Sequence, residues 1–301
     1  MPYPRGLEIK HKTVIKKTRR LPTLGKVLVK RGDVVTPDVV VARASIPNPE
    51  LRLINVYSIL GVDPRSIKLY MLKGVGEEVK KNEVIALHKY LFGLLKSVCK
   101  SPIDGIIENI STITGRTLIR GKPILIEVTA HIPGRVASVI PREGVIIEST
   151  AVFIQAIFGI GGETHGDIAV VVDSPNEILS PDKINGEHTG KVLVGGSLVQ
   201  LGALRKAIEI GVKGIISGGI EQKELTNFLG YEIGVGITGD EKVGLTLILT
   251  EGFGRIPMNH ETFQLLESFG GKQACINGST QIRLGVIRPE IILPLTNRDK
   301  S

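Results

Sequence analysis

The chain has 301 residues, with 38 Lys and Arg against 30 Asp and Glu, for a formal net charge of +8 at pH 7. That length suits two domains, or one large domain with a satellite, and an apolar fraction of 42% with a charged fraction of 23% excludes wholesale disorder. The longest apolar run, Ala151 to Ile160, stops at a glycine pair and Glu163, well short of the ~18–20 residues that span a bilayer, so no membrane span is expected. The basic N-terminus lacks the apolar core of a secretory signal. Two distant cysteines, Cys99 and Cys275, make no disulfide framework. A cytoplasmic protein is expected.

The basic excess sits at one end. Residues 1–31 hold ten Lys and Arg and one acid, Glu8, which leaves the other 270 residues with a net charge of −1. Residues 1–21 are therefore set apart as a basic arm. Lys10, Lys12, Lys16, Lys17, Arg19 and Arg20 are the residues through which such an arm would neutralise phosphates, with affinity falling steeply in salt. Tyr3 is the only aromatic residue there, so no stacking platform for single strands is in view. The competing reading, which stands ahead, is a solvated strand or linker that wraps the protein's own acidic body.

The next segment repeats. Gly25-Lys-Val-Leu-Val-Lys-Arg-Gly-Asp-Val-Val runs on into Asp38-Val-Val-Val-Ala42, and 44 residues later Gly76-Glu-Glu-Val-Lys-Lys-Asn-Glu-Val-Ile-Ala86 has the same skeleton. Gly32 maps to Gly76, Asp33 to Glu77, Val35 to Val79, Val41 to Ile85 and Ala42 to Ala86. Each copy reads as strand, Gly-acid turn and second strand ending in a small residue, and the two copies are expected to share one core. With Ser101-Pro-Ile-Asp-Gly-Ile-Ile-Glu-Asn-Ile110, residues 22–130 resemble the biotinyl/lipoyl type of barrel-sandwich hybrid. They are similar above all to its non-carrier members, such as the hybrid domain in the C subunit of Rnf-type electron-transfer complexes and the hybrid motifs inserted in RNA polymerase large subunits.

The carrier members of that family imply a modified lysine at the tip of the hairpin between the halves. Here the segment Leu87 to Lys100 has Gly93 at the expected tip, with Lys89 and Lys96 on the legs and no Met-Lys-Met or Asp-Lys-Ala. Solvated surface lysines are the expectation, and no cofactor is expected. Gly134-Arg-Val-Ala-Ser-Val-Ile-Pro-Arg-Glu-Gly-Val-Ile-Ile-Glu148, within 131–158, reads as two strands joined at Pro141 to Gly144. It is similar to the small β-barrel segment of KOW type found in transcription and ribosomal factors.

After Gly162 the pattern changes. Ile168–Val172 is a buried strand run, and Gly190-Lys-Val-Leu-Val-Gly-Gly opens another. Ser197 stands at a helix N-cap position, Leu198, Leu201, Leu204, Ala207 and Ile208 follow at helical spacing, and Gly211 closes the helix. Val212-Lys-Gly-Ile-Ile-Ser completes a βαβ unit. A helix over Gln222–Leu229, a strand from Gly244, a helix over Asn259–Phe269 capped by Asn259, and strands at Gln273–Ile276 and Ile282–Ile287 complete the prediction. Residues 159–296 are thus an α/β domain, three-layer or similar to small swivelling and protease-associated modules.

Candidate chemistry is sparse. Gly159-Ile-Gly-Gly-Glu163-Thr-His165-Gly-Asp167 sets Glu163 and His165 on one face of an extended loop, where they could bind a ligand. A glycine hinge between domains explains the same residues and is preferred, and metal-ligand spacing is not met because the nearest further histidine is His188. Gly195-Gly-Ser197 and Ser217-Gly-Gly219 lie where strands end, as an anion cradle would, but a tight βα turn is the commoner use. Glu251, Arg255, Gln281, Arg283, Arg288 and Glu290 fall at predicted strand ends, where open α/β sheets collect ligands, and are the candidate pocket. Cys275 reads as core, and Cys99 lies near Lys96 and Lys100 without a histidine base. No motif assigns a reaction, so catalysis is not the first expectation.

The whole is therefore a multidomain β plus α/β protein. The leading reading is a non-catalytic adaptor whose hybrid domain docks a protein partner and whose α/β module binds a partner or small anionic ligand. The alternatives are a nucleic-acid or transcription-associated factor using the arm and the KOW-like segment, and an enzyme or enzyme accessory with its site at the C-terminal strand ends.

Overall fold

The computed structural model describes residues 8–90, 95–231, 243–280 and 287–295. The chain is mostly β, with several sheets, and divides into two compact units. The first is drawn from residues 1–20, 27–42 and 128–301, the second from 21–26 and 43–127. Residues 22–130 are thus shared between the two units, while 131–158 and 159–296 lie in the same one.

The first unit is built on an eleven-stranded sheet. In chain order its strands are β1 (Ile9–Arg20), β2 (Val34–Val35), β3 (Gly134–Ile140), β4 (Gly144–Gln155), β5 (Phe158–Ile160), β6 (Glu163–Val170), β7 (Val192–Val194), β8 (Gly214–Ile220), β9 (Thr246–Phe253), β10 (Gln273–Asn277) and β11 (Glu290–Pro294). Their spatial order is β5-β9-β8-β7-β6-β10-β11-β4-β3-β2, with β1 also on β4. Within the basic arm, Ile9–Arg20 is therefore a strand. It pairs antiparallel along β4, from Ile9 opposite Ile154 to Arg20 opposite Gly144. On its other edge β4 meets β3 with its first half and β11 with its second. The hairpin β3–β4 turns at Pro141–Glu143 as expected, but it belongs to this sheet, and the described residues form no closed barrel.

Strands β6, β7, β8 and β9 run parallel, as the βαβ reading requires. Because side chains alternate, Val192, Val194, Ile216 and Ile248 face one way and pack with Phe263 and Leu266 of the helix His260–Ser268. Leu193, Ile215, Leu247 and Leu249 face the other way, against Ala203, Leu204 and Ala207 of Leu201–Ile210 and Leu225 of Gln222–Leu229. Asn259 caps its helix, accepting from the N–H groups of Glu261 at 2.9 Å and Thr262 at 3.4 Å. Ser197 does not cap. Leu198–Val199 is instead a short strand parallel to Ile178–Leu179, and the helix starts after Gln200. The predicted strand at Ile282–Ile287 lies almost wholly outside the described residues.

The repeated turns are alike in detail. Gly32 and Gly76 adopt φ of +95° and +89°, a conformation open to glycine. The acid that follows each accepts from the N–H three residues back: Asp33 from Lys30 at 2.9 Å, Glu77 from Gly74 at 2.6 Å. Each glycine then donates to a strand of its own. Gly32 N–H reaches the Val136 carbonyl at 2.8 Å, and Gly76 N–H the Ile107 carbonyl at 2.7 Å. The expectation of one shared core is overturned here. Val35 and Val41 pack with Ala130, Ile132, Val136 and Ile147, whereas Val79, Ile85 and Ala86 pack with Ile54, Leu60, Ile107 and Ile119.

That second core belongs to the second unit. Its four-stranded sheet has the order Leu51–Ile54, Arg116–Gly121, Gly105–Ser111, Glu78–Val79. A hairpin of Val84–Tyr90 and Leu95–Lys100 sets Lys89 directly opposite Lys96, both exposed on the legs, while Gly93 lies outside the described residues. His88 is wedged between Tyr70 and Tyr90, at ring-centroid distances of 4.6 and 4.3 Å.

Candidate functional site

Alternation along β1 turns Ile15, Lys17 and Arg19 toward the body and Lys10, Lys16 and Arg20 outward. The two inward cations must therefore meet carboxylates. Lys17 pairs with Glu290 of β11. Arg19 grips Glu163 at the start of β6 with both terminal nitrogens, at 2.6 and 2.7 Å, and donates its Nε to the Thr129 carbonyl at 2.8 Å. The outward cations also find acids: Lys10 with Glu8, Lys16 with Glu148 and Arg20 with Glu143. Of the six arm residues singled out for phosphate binding, five are thus ion-paired, and Lys12 stands exposed.

Around the Arg19–Glu163 pair lie the other polar groups of this region. His131 precedes β3 with φ of +66° and only 3% exposure, donates its N–H to the Pro37 carbonyl at 3.0 Å, and leaves Nε2 without a partner. Burial holds its pKa down at about 4, against the pull of Glu163 and with a further push from Arg19 and Lys17, so the ring is neutral at pH 7. Burial alone would raise the Glu163 pKa. The Arg19 hydrogen bonds outweigh it, with the charges of His131, Arg19 and Lys17, and the carboxyl lies below its ordinary value. His165 is cross-strand from Cys275, and its Nε2 lies 3.2 Å from Asp38 Oδ2. Burial, then the charges of Asp38 and Glu163, push the Cys275 thiol up to about 12, which keeps it protonated.

The structure thus brings Glu163 and His165 together with Lys17 and Arg19, a convergence that strand alternation anticipates only once the arm is known to be a strand. His131 was missed, because nothing local in His131-Ile-Pro-Gly marks a left-handed, buried imidazole. Chemically, Glu163 is an ionised carboxylate with both oxygens engaged, and His131 is sealed from water. The His165–Asp38 pair is the part of the cluster open to solvent, Asp38 being 83% exposed. Among the described residues no group of three or more His, Cys, Asp and Glu is placed to hold a metal. The glycines before Glu163 make no interdomain hinge. Gly161 and Gly162 turn between β5 and β6 of one sheet, and a Cβ on Gly161 would stand 2.1 Å from the Leu245 carbonyl.

The C-terminal ends of the parallel strands are filled by backbone. Gly218 N–H donates to the Gly196 carbonyl, Ser197 N–H to Glu177, Gly254 N–H to Ile220 and Ile256 N–H to Ser197. A Cβ on Gly196 would stand 2.3 Å from the Glu177 carbonyl, on Gly218 2.2 Å from Ile256 and on Gly219 2.1 Å from Gly254. These glycines let loops touch one another, so the N–H groups that a phosphate cradle needs are already used. Glu251 accepts from the Asn259 N–H at 2.9 Å, tying the turn before the helix, while Arg255 is exposed nearby. Glu290 is taken by Lys17, and Gln281 and Arg283 lie outside the described residues. In the second unit burial pushes the Cys99 thiol up to about 11, so Lys96 and Lys100 do not activate it. Comparison of the chain with protein-family models, with curated proteins and with solved structures finds no match.

Proposed function

We propose that the chain is a non-catalytic scaffold whose second unit docks a protein partner. One observation carries the reading. Of the 20 large apolar side chains exposed among the described residues, 12 lie in the second unit, which is less than a third of the chain. They include a sheet edge whose one charged residue, Arg52, is paired with Glu50. Leu51–Ile54 is the outer strand of the four-stranded sheet, with Leu51 43% and Leu53 59% exposed and no proline or lysine along it. The Gly121 N–H donates to the Glu50 carbonyl at 2.9 Å, which brings the strand's start close to the chain leading to the exposed Ile124 and Leu125.

A partner strand added to this edge satisfies its open backbone groups and covers the leucines. Two free, buried cysteines suit a reducing, cytoplasmic setting. The nucleic-acid reading is weakened by the commitment of the arm's cations to the protein's own carboxylates. The test is affinity purification from the native cell with wild type and with the double variant Leu51→Glu/Leu53→Glu, whose folding is checked by circular dichroism. A stoichiometric protein partner held by wild type and lost from the variant is expected. The same proteins captured by both sinks the reading.

A further inference from the structure

We infer that the outer face of the first unit carries a binding site for the phosphoryl group of a small molecule, made by Arg31 and Arg135. Register places the residues. Glu148 of β4 is directly opposite Lys16 of β1 on one side and Arg135 of β3 on the other, so the three side chains stand in one cross-strand row. Arg135 is in turn opposite Val34 of β2, and the bond from Gly32 N–H to the Val136 carbonyl holds Arg31 beside that row. The left-handed Gly32 makes the bend that brings Arg31 there. The result is a cleft of about 470 Å³ lined by Lys16, Arg31, Arg135, Glu148 and Thr150 among others. Small-molecule sites occupy roughly 300–1,000 Å³.

The charge balance of this cleft differs from that of the arm. Five arm cations have carboxylates of their own, including Lys16, whose Nζ lies 3.6 Å from Glu148. Arg31 and Arg135 have no hydrogen-bond or ion-pair partner among the described residues, and both are exposed. Three cations thus face one carboxylate. Two arginines lining one cleft each offer a planar fork of donors, the geometry that matches phosphate oxygens in pairs. Thr150 also lines the cleft, and its side chain carries a neutral hydroxyl donor. The site is independent of the docking edge, since every residue in it belongs to the first unit.

The test is calorimetric titration of the full chain with inorganic pyrophosphate. Wild type is expected to bind saturably, and Arg31→Ala/Arg135→Ala to bind at least tenfold more weakly. Glu148→Gln is isosteric and releases Lys16, so it is expected to bind at least twofold more tightly. This gain does not depend on the arginine variant folding. No saturable binding, or equal binding by wild type and the arginine variant, overturns the inference. Citrate binding as tightly as pyrophosphate overturns the phosphoryl assignment. A single-stranded RNA bound more tightly than pyrophosphate, and lost in the arginine variant, makes the cleft a nucleic-acid backbone site instead.

Discussion

His131 makes the stability of the first unit depend on pH in a calculable way. The ring is 3% exposed and its pKa is held near 4 by burial, against an ordinary 6.5. Between those values the unfolded chain takes up a proton that the folded chain refuses, so stability falls as the solution is acidified. Each pH unit inside the window costs about 1.4 kcal/mol, or about 3 kcal/mol across it, from a total stability of roughly 5–15 kcal/mol. Glu163 acts with the same sign but lower on the scale. Its pKa is depressed on folding, so its contribution is present above about 4.5 and is lost as pH falls through the folded value. The two are therefore separable by range. Urea unfolding at about pH 7 and about pH 5 should show wild type losing about 2 kcal/mol to His131 alone. His131→Asn tolerates the left-handed backbone and cannot titrate, so it should lose about 2 kcal/mol less over the same interval. Equal losses in the two proteins refute the reasoning.

Two further outcomes follow from the packing. Glu163→Gln leaves the Arg19 guanidinium with the Thr129 carbonyl as its remaining strong acceptor and should cost about 2 kcal/mol in urea unfolding. Arg19→Lys, which keeps the charge and loses the fork, should cost about 1 kcal/mol. A change within about 0.3 kcal/mol for both would show that the pair does not anchor the N-terminal strand. Gly218→Ala drives a Cβ to 2.2 Å from the Ile256 carbonyl and should cost about 3 kcal/mol or abolish folding. Gly32→Ala meets open space and costs only the strain of φ +95°, about 1 kcal/mol. The melting temperatures should fall in that order, and the reverse order would show that the strand-end loops yield freely.

Features that rest on near neighbours were legible in the chain. The helix at Gln222–Leu229, the Asn259 cap and the Gly211 stop came out as read, because a helix is decided by spacing and by side chains within one turn of its ends. The two Gly-acid turns share their i−3 hydrogen bonds for the same reason. The strand assigned to each copy was not legible. Gly76 pairs with Ile107, but Gly32 pairs with Val136, more than a hundred residues away, and one Pro-Gly-Arg-Val stretch looks like any other edge of a turn.

The same limit governed the candidate sites. A glycine pair after a strand reads alike whether it receives a phosphate or the carbonyl of another loop, and at Gly196 and Gly218 it is the loop. Acids scattered along the body gave no sign that they would be matched to alternate residues of the arm. By itself, then, the sequence determined the local grammar: where the chain turns, where helices start and stop, and which end holds the positive charge. Only the tertiary structure decided between strand and linker for the arm, put the two repeats in separate cores, and left Arg31 and Arg135 without acids among the described residues. Those outcomes depend on distances between residues far apart in the chain, and periodicity and composition carry no information about such distances.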